Sequence, residues 1–142
     1  LWDKTQESKA TSRNWRVPGR DEGRDIVKLK NILIVVSDME RAKQFYHELF
    51  GLDVILDQEG NAVLTEGLVL QEKTVWEEAV GRKSVVGNAG MELYFEETDM
   101  AGFRDKLREY PEKIQYLTPP AEGEELIRLY DPDGHLIEIR KR

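Results

Sequence analysis

The chain has 142 residues, enough to bury a real core as one domain, and carries 28 acidic against 21 basic side chains for a formal net charge of -7. That balance, with no basic stripe interleaved with aromatics, argues against nucleic acid as a partner. The absence of cysteine removes disulfides, thiolate metal sites and a cysteine nucleophile. No apolar run approaches the roughly 20 residues of a membrane helix and no signal peptide is visible, so the expectation is a soluble protein, cytoplasmic by default and with no membrane partner.

Residues 1 to about 25 are polar, mixed in charge and without a sustained period, and they read as an N-terminal extension whose large apolar anchors are Trp2 and Trp15. The domain proper is expected over residues 26–142. Lys28 to Val36 is rich in β-branched residues and predicts a strand. Ser37 and Asp38 then offer helix caps, Ala42, Phe45, Tyr46 and Leu49 recur at helical spacing, and Gly51 ends the element. Three strands follow at Leu52 to Leu56, Ala62 to Thr65 and Leu68 to Glu72, separated by glycine-bearing turns. A short helix around Val75 to Val80 and a polar loop complete the first part.

The order then repeats. Met91 to Glu97 is a strand, and Thr98 and Asp99 cap a helix with apolar positions Met100, Phe103, Leu107 and Tyr110 that Pro111 stops. Lys113 to Leu117, Glu125 to Tyr130 and Leu136 to Arg140 are three further strands. The fold class is therefore α+β, with two pseudo-symmetric βαβββ modules at about 26–73 and 90–142. Asp131-Pro132-Asp133-Gly134 is strong turn chemistry and makes the last two strands a hairpin.

Strand parity selects the polar positions. Glu138 shares a face with Leu136 and Arg140, opposite Ile137 and Ile139; by itself this reads as a solvated glutamate on an exposed face. Asn31 points away from Ile32 and Ile34, and Glu92 with Tyr94 points away from Leu93 and Phe95. Gln71 lies four residues after Gly67, as Glu138 lies four after Gly134. A pseudo-symmetric pairing of the modules would collect Asn31, Gln71, Glu92 and Glu138, all with oxygen lone pairs that suit a hard divalent ion.

The stretches ILIVVSDMERAKQFYHELFGLDVIL (32–56), GLVLQEKTVW (67–76), MELYFEETD (91–99) and RLYDPDGHLIEI (128–139) resemble the vicinal oxygen chelate superfamily, the glyoxalase/bleomycin-resistance/dioxygenase group. The resemblance covers about residues 28–142. It implies a cupped mixed sheet with helices on its outer face, a small-molecule site in the cup, and often a homodimer. In metal-using members the matching positions, here Asn31, Gln71, Glu92 and Glu138, hold the metal. No cofactor is fixed by the residues themselves; the one that the oxygen donors and the resemblance both point to is a divalent metal (Ni, Mn, Zn or Mg).

The chain departs from that pattern where histidines would stand, with Asn31 and Glu92 in their places. Its two histidines lie elsewhere, His47 on the first helix and His135 in the last turn, each with a structural or solvated role as the plainer reading. A ring-cleaving dioxygenase, which needs two imidazoles and a carboxylate, is disfavoured. Two function classes remain. In one, the cup binds or sequesters a small molecule without a conventional metal site, with Tyr94, Trp76 and Arg128 as pocket residues. In the other, Glu92 and Glu138 are the catalytic pair of a divalent-metal-dependent lyase or isomerase of the glyoxalase type. Trp76 is by type more often a packing aromatic, and an ion pair with a nearby acid is the plainer role for Arg128.

Overall fold

The computed structural model describes residues 27–142 apart from 88 and 122, so the expected extension over residues 1–25, with Trp2 and Trp15, lies outside the described residues. Residues 27–30 are irregular and exposed, and Asn31–Arg142 forms a compact unit. Within it the order is β1 (Ile32–Val36), α1 (Met39–Phe50), β2 (Val54–Gln58), β3 (Asn61–Leu64), a 3-10 turn (Thr65–Gly67), β4 (Leu68–Glu72) and α2 (Lys73–Val80). Then come β5 (Glu92–Glu97), α3 (Met100–Glu109), β6 (Gln115–Tyr116), β7 (Leu126–Tyr130) and β8 (Leu136–Lys141).

Both βαβββ modules are present. They form two four-stranded mixed sheets, β1-β4-β3-β2 and β5-β8-β7-β6, each with one parallel pair, β1 with β4 and β5 with β8. The single cupped sheet implied by the resemblance is not closed within the chain: no strand of one sheet is bonded to the other among the described residues, and β1 and β5 remain edges. Strand β1 also starts later than the composition suggests. Its ladder begins at Ile32 opposite Leu68, where β4 starts, so Lys28 to Lys30 have no β4 residue to pair with.

The two long helices are built from the local signals. Asp38 accepts from the backbone N–H of Arg41 at 3.1 Å, and the buried residues of α1 are Ala42, Phe45, Tyr46 and Leu49. Gly51, at φ 68, turns the chain out of the helix in a conformation that a Cβ disfavours. Asp99 caps α3 through Gly102 N–H at 2.9 Å, and Met100, Phe103 and Leu107 are buried. These faces meet Ile34, Val36 and Leu70 from the first sheet and Ile127, Leu129, Ile137 and Ile139 from the second in one apolar cluster. Full burial of each large side chain contributes about 1.5–3 kcal/mol.

Polar contacts join the modules beside this core. Asp133 accepts from Ser37 N–H at 3.1 Å and from Ser37 Oγ at 2.6 Å, and Tyr46 donates its hydroxyl to Asp131 Oδ2 at 2.6 Å. Asp131 is buried and also accepts from the backbone N–H groups of Asp133 and His135, both at 2.9 Å. The Asp-Pro-Asp-Gly segment is thus both the expected hairpin turn and a clasp on the first module. Gly134, at φ 87, leaves room for Gly87, whose Cα would lie 3.1 Å from a Cβ placed there.

Candidate functional site

The polar face of the second sheet follows from its register. Glu138 on β8 is opposite Tyr94 on β5 and Arg128 on β7, and Arg140 is opposite Glu96 and Leu126. Alternation puts these side chains on the face away from Leu93, Phe95, Ile137 and Ile139. The parity expected for Glu138 holds, but its solvation does not: the residue is only 1% exposed. A charge so placed needs partners. Arg128 Nε donates to Glu138 Oε1 at 3.0 Å and Arg140 Nε to Oε2 at 2.9 Å, so each carboxylate oxygen has its own guanidinium.

Tyr94 stands beside this group and donates its hydroxyl to Glu96 Oε2 at 3.2 Å. Desolvation, with the bond to Glu96 and its charge, raises the phenol above its ordinary value, so Tyr94 stays protonated and able to donate at neutral pH. Glu92 is exposed on the same face, diagonal to Glu138 across the parallel ladder. Arg128 does pair with a nearby acid, and that acid is Glu138. Alternation already placed Arg140 on the face of Glu138, but the sequence did not mark it as a site residue; its i+2 spacing, which puts a cation beside the carboxylate, was the available signal.

The first sheet supplies less. Ile32 and Leu93 precede their capping aspartates by the same distance, and they pair with Leu68 and Ile137 respectively. Matching the ladders from there makes Val69, not Gln71, the counterpart of Glu138, and sets Gln71 level with Arg140. The equivalence counted from Gly67 and Gly134 is corrected accordingly: Gly67 is level with Leu136, because His135 separates Gly134 from β8 whereas β4 starts directly after its glycine, and because β8 begins one rung earlier than β4. Gln71 pairs with Val35, whereas Asn31 precedes Ile32, so the two amides are offset by about 13 Å at the usual strand rise. Gln71 donates instead to Asn61 Oδ1 at 3.2 Å. Trp76 is half-buried on α2, which packs against β4 and β1.

This donor set does not fit a divalent ion. Among the described residues no group of three or more His, Asp or Glu is placed to hold a metal. Asn31 and Gln71 do not converge, Val69 has no donor atom, and both oxygens of Glu138 are engaged by guanidinium groups whose charge opposes that of a cation. The histidines serve elsewhere. His47 is exposed, with Nδ1 3.2 Å from Asp53, and His135 Nδ1 lies 2.7 Å from Asp131 Oδ2.

Paired βαβββ modules with a polar residue set on the sheet face away from the helices define an α+β protein of the vicinal oxygen chelate class. The family model described as "Glyoxalase-like domain" matches residues 29–142, and the chain belongs to that family. A search of curated proteins found no match. Among solved structures, the chain is similar to a protein of unknown function from Agrobacterium tumefaciens str. C58, with 26% identity, a TM-score of 0.69, and coverage of 86% of this chain and 99% of that one. It is similar also to a glyoxalase-related enzyme from Fulvimarina pelagi, with 24% identity, a TM-score of 0.65, and coverage of 82% and 89%. A mutant of the fosfomycin resistance protein FosX from Listeria monocytogenes, complexed with Mn(II) and 1S,2S-dihydroxypropylphosphonic acid, has 17% identity, a TM-score of 0.56, and coverage of 82% and 90%. No described helix is long and apolar enough to cross a membrane.

Proposed function

We propose that the protein binds or sequesters a small molecule over the polar face of the second sheet, without a divalent metal, and does so as a homodimer. The observation that carries this reading is the double ion pair of Glu138, which engages both carboxylate oxygens with guanidinium cations whose charge opposes that of a metal ion. Arg128 and Tyr94 present donors and an aromatic ring beside it, the mixture that small-molecule pockets employ. Dimerisation is supported by the open edges β1 and β5 and by the exposed apolar side chains Ile32, Leu33, Ile55 and Leu56 on the first sheet.

The Mn(II) complex of the FosX relative favours a second reading, a metal-dependent lyase or isomerase using Glu92 and Glu138. That reading requires Glu138 to release two guanidinium groups. Calorimetric titration of Ni²⁺, Mn²⁺, Zn²⁺ and Mg²⁺ into metal-stripped protein, alongside a Glu92→Ala/Glu138→Ala variant, separates the two. The expected result is no tight binding to either protein, together with small molecules that raise the melting temperature of the wild type in EDTA. Tight uptake of one ion by the wild type, lost in the variant, would overturn the metal-free reading, and turnover by the metal-loaded protein would then establish the second.

A further inference from the structure

We infer that the ligand of the second-sheet face carries a carboxylate or phosphonate group, seated on the terminal nitrogens of Arg128 and Arg140; this rests on the metal-free reading above. An arginine offers five N–H donors in a planar fork. Glu138 takes only the Nε of each, so the terminal nitrogens of both guanidinium groups have no protein partner among the described residues. The two side chains are 21% and 33% exposed, against 1% for the carboxylate between them, so an oxyanion reaches the forks without displacing Glu138. The buried carboxylate holds both arginines in place beforehand, which lowers the ordering cost of binding.

The surroundings give the anion a direction of approach. Arg128 and Arg140 line one cavity of about 350 Å³ together with Thr118, Pro120 and Leu126, which add a hydroxyl and an apolar wall. Acidic groups are close as well. Glu96 is opposite Arg140 on β5, Glu92 lies on the same strand, and Glu124 and Glu125 line the cavity, with Glu125 3.7 Å from Lys141. Strand order places β8 between β5 and β7, so Arg128 is the cation screened from Glu92 and Glu96 by a full strand. On the β7 side the acids Glu124 and Glu125 are both exposed, where solvent screens them, and Glu125 is near Lys141, so the oxyanion sits there, against Arg128 first and Arg140 second. Carboxylate and phosphonate share the two-oxygen geometry that a guanidinium fork accepts.

The test is an NMR titration of isotope-labelled, metal-stripped protein in EDTA, following the arginine side-chain resonances, with propionate, methylphosphonate and uncharged propionamide as probes. One or both anions should shift Arg128 and Arg140 saturably and bind at least about tenfold more tightly than propionamide. Because Arg128→Gln alone would strand a buried charge, the companion variant is Arg128→Gln/Glu138→Gln, which removes opposite charges together. It should lose about tenfold or more in affinity for the anion. Equal response to anions and amide, or a variant that binds as the wild type does, overturns the assignment. An uncharged ligand held on the same face defeats only the anion, whereas tight metal uptake defeats the metal-free reading beneath it.

Discussion

Glu138 is one carboxylate shared by two guanidinium groups, and the two kinds of partner differ in what they lose when the set is broken. Arg128→Ala leaves a buried carboxylate with Arg140 alone, and the expected cost is about 3 kcal/mol, the low end for breaking a buried pair. Glu138→Gln should cost less, since the arginines it strands are partly exposed and can be hydrated where they stand. Urea unfolding of both variants checks the order, and a larger loss in Glu138→Gln would contradict it. His135 gives a prediction in pH. Burial pulls its imidazole down, but the bond to Asp131 and the charges of Asp131 and Asp133 outweigh this and leave its pKa raised. A raised folded value means that the charged ring stabilises the fold fully below the unfolded pKa of about 6.5, and that this stabilisation is lost as pH rises through the folded value. The stability gap between wild type and His135→Asn should therefore shrink from about pH 5.5 to about pH 8.5 in urea unfolding curves. A gap that is constant or widens would show that the ring is not charged in the clasp.

At the scale of elements, local signals and pairing signals divide what was legible beforehand. Helices α1 and α3 were readable because a cap and an i, i+3, i+4 stripe lie within one segment, and Asp38 and Asp99 cap as expected. Each Asp→Ala change should cost about 1 kcal/mol in thermal or urea unfolding, with no change of fold by circular dichroism. The limits of β1 and the brevity of β6 were not readable, since they depend on which partner residues exist. Strand β6 is two residues long because it pairs only with Tyr130 and Leu129. The candidate site divides in the same way. The face of Glu138 follows from alternation in its own strand, but its burial follows from Arg128 and Tyr94 on neighbouring strands, which only the register brings beside it. The same register moves the first-module counterpart from Gln71 to Val69, so the symmetric set of oxygen donors that the repeat suggested reduces to the carboxylates of the second sheet.

Taken together, residues 31–142 hold two sheets that share no ladder, so the cohesion of the modules rests on side chains. Phe50 at the end of α1 stacks on Phe95 of β5 with ring centroids 4.3 Å apart and also meets Phe103 of α3 at 5.6 Å. Tyr46 to Asp131 and Ser37 to Asp133 add the polar clasp beside it. The apolar residues of both modules belong to one cluster, and neither sheet would keep its inner face covered if the other withdrew. A single unfolding transition is therefore expected. Phe50→Ala is the incisive change, because it removes a first-module ring that packs on Phe45 and Tyr46 of its own helix and, more closely, on Phe95 and Phe103 of the second module. Its cost should be about 3 kcal/mol, the low end for Phe→Ala, since Phe50 is only partly buried. If the modules are one cooperative unit, amide exchange protection should fall by similar amounts in β4 and in β8. Loss confined to β4, with β8 as protected as before, would mean that the second module stands by itself and that its polar face does not depend on the first.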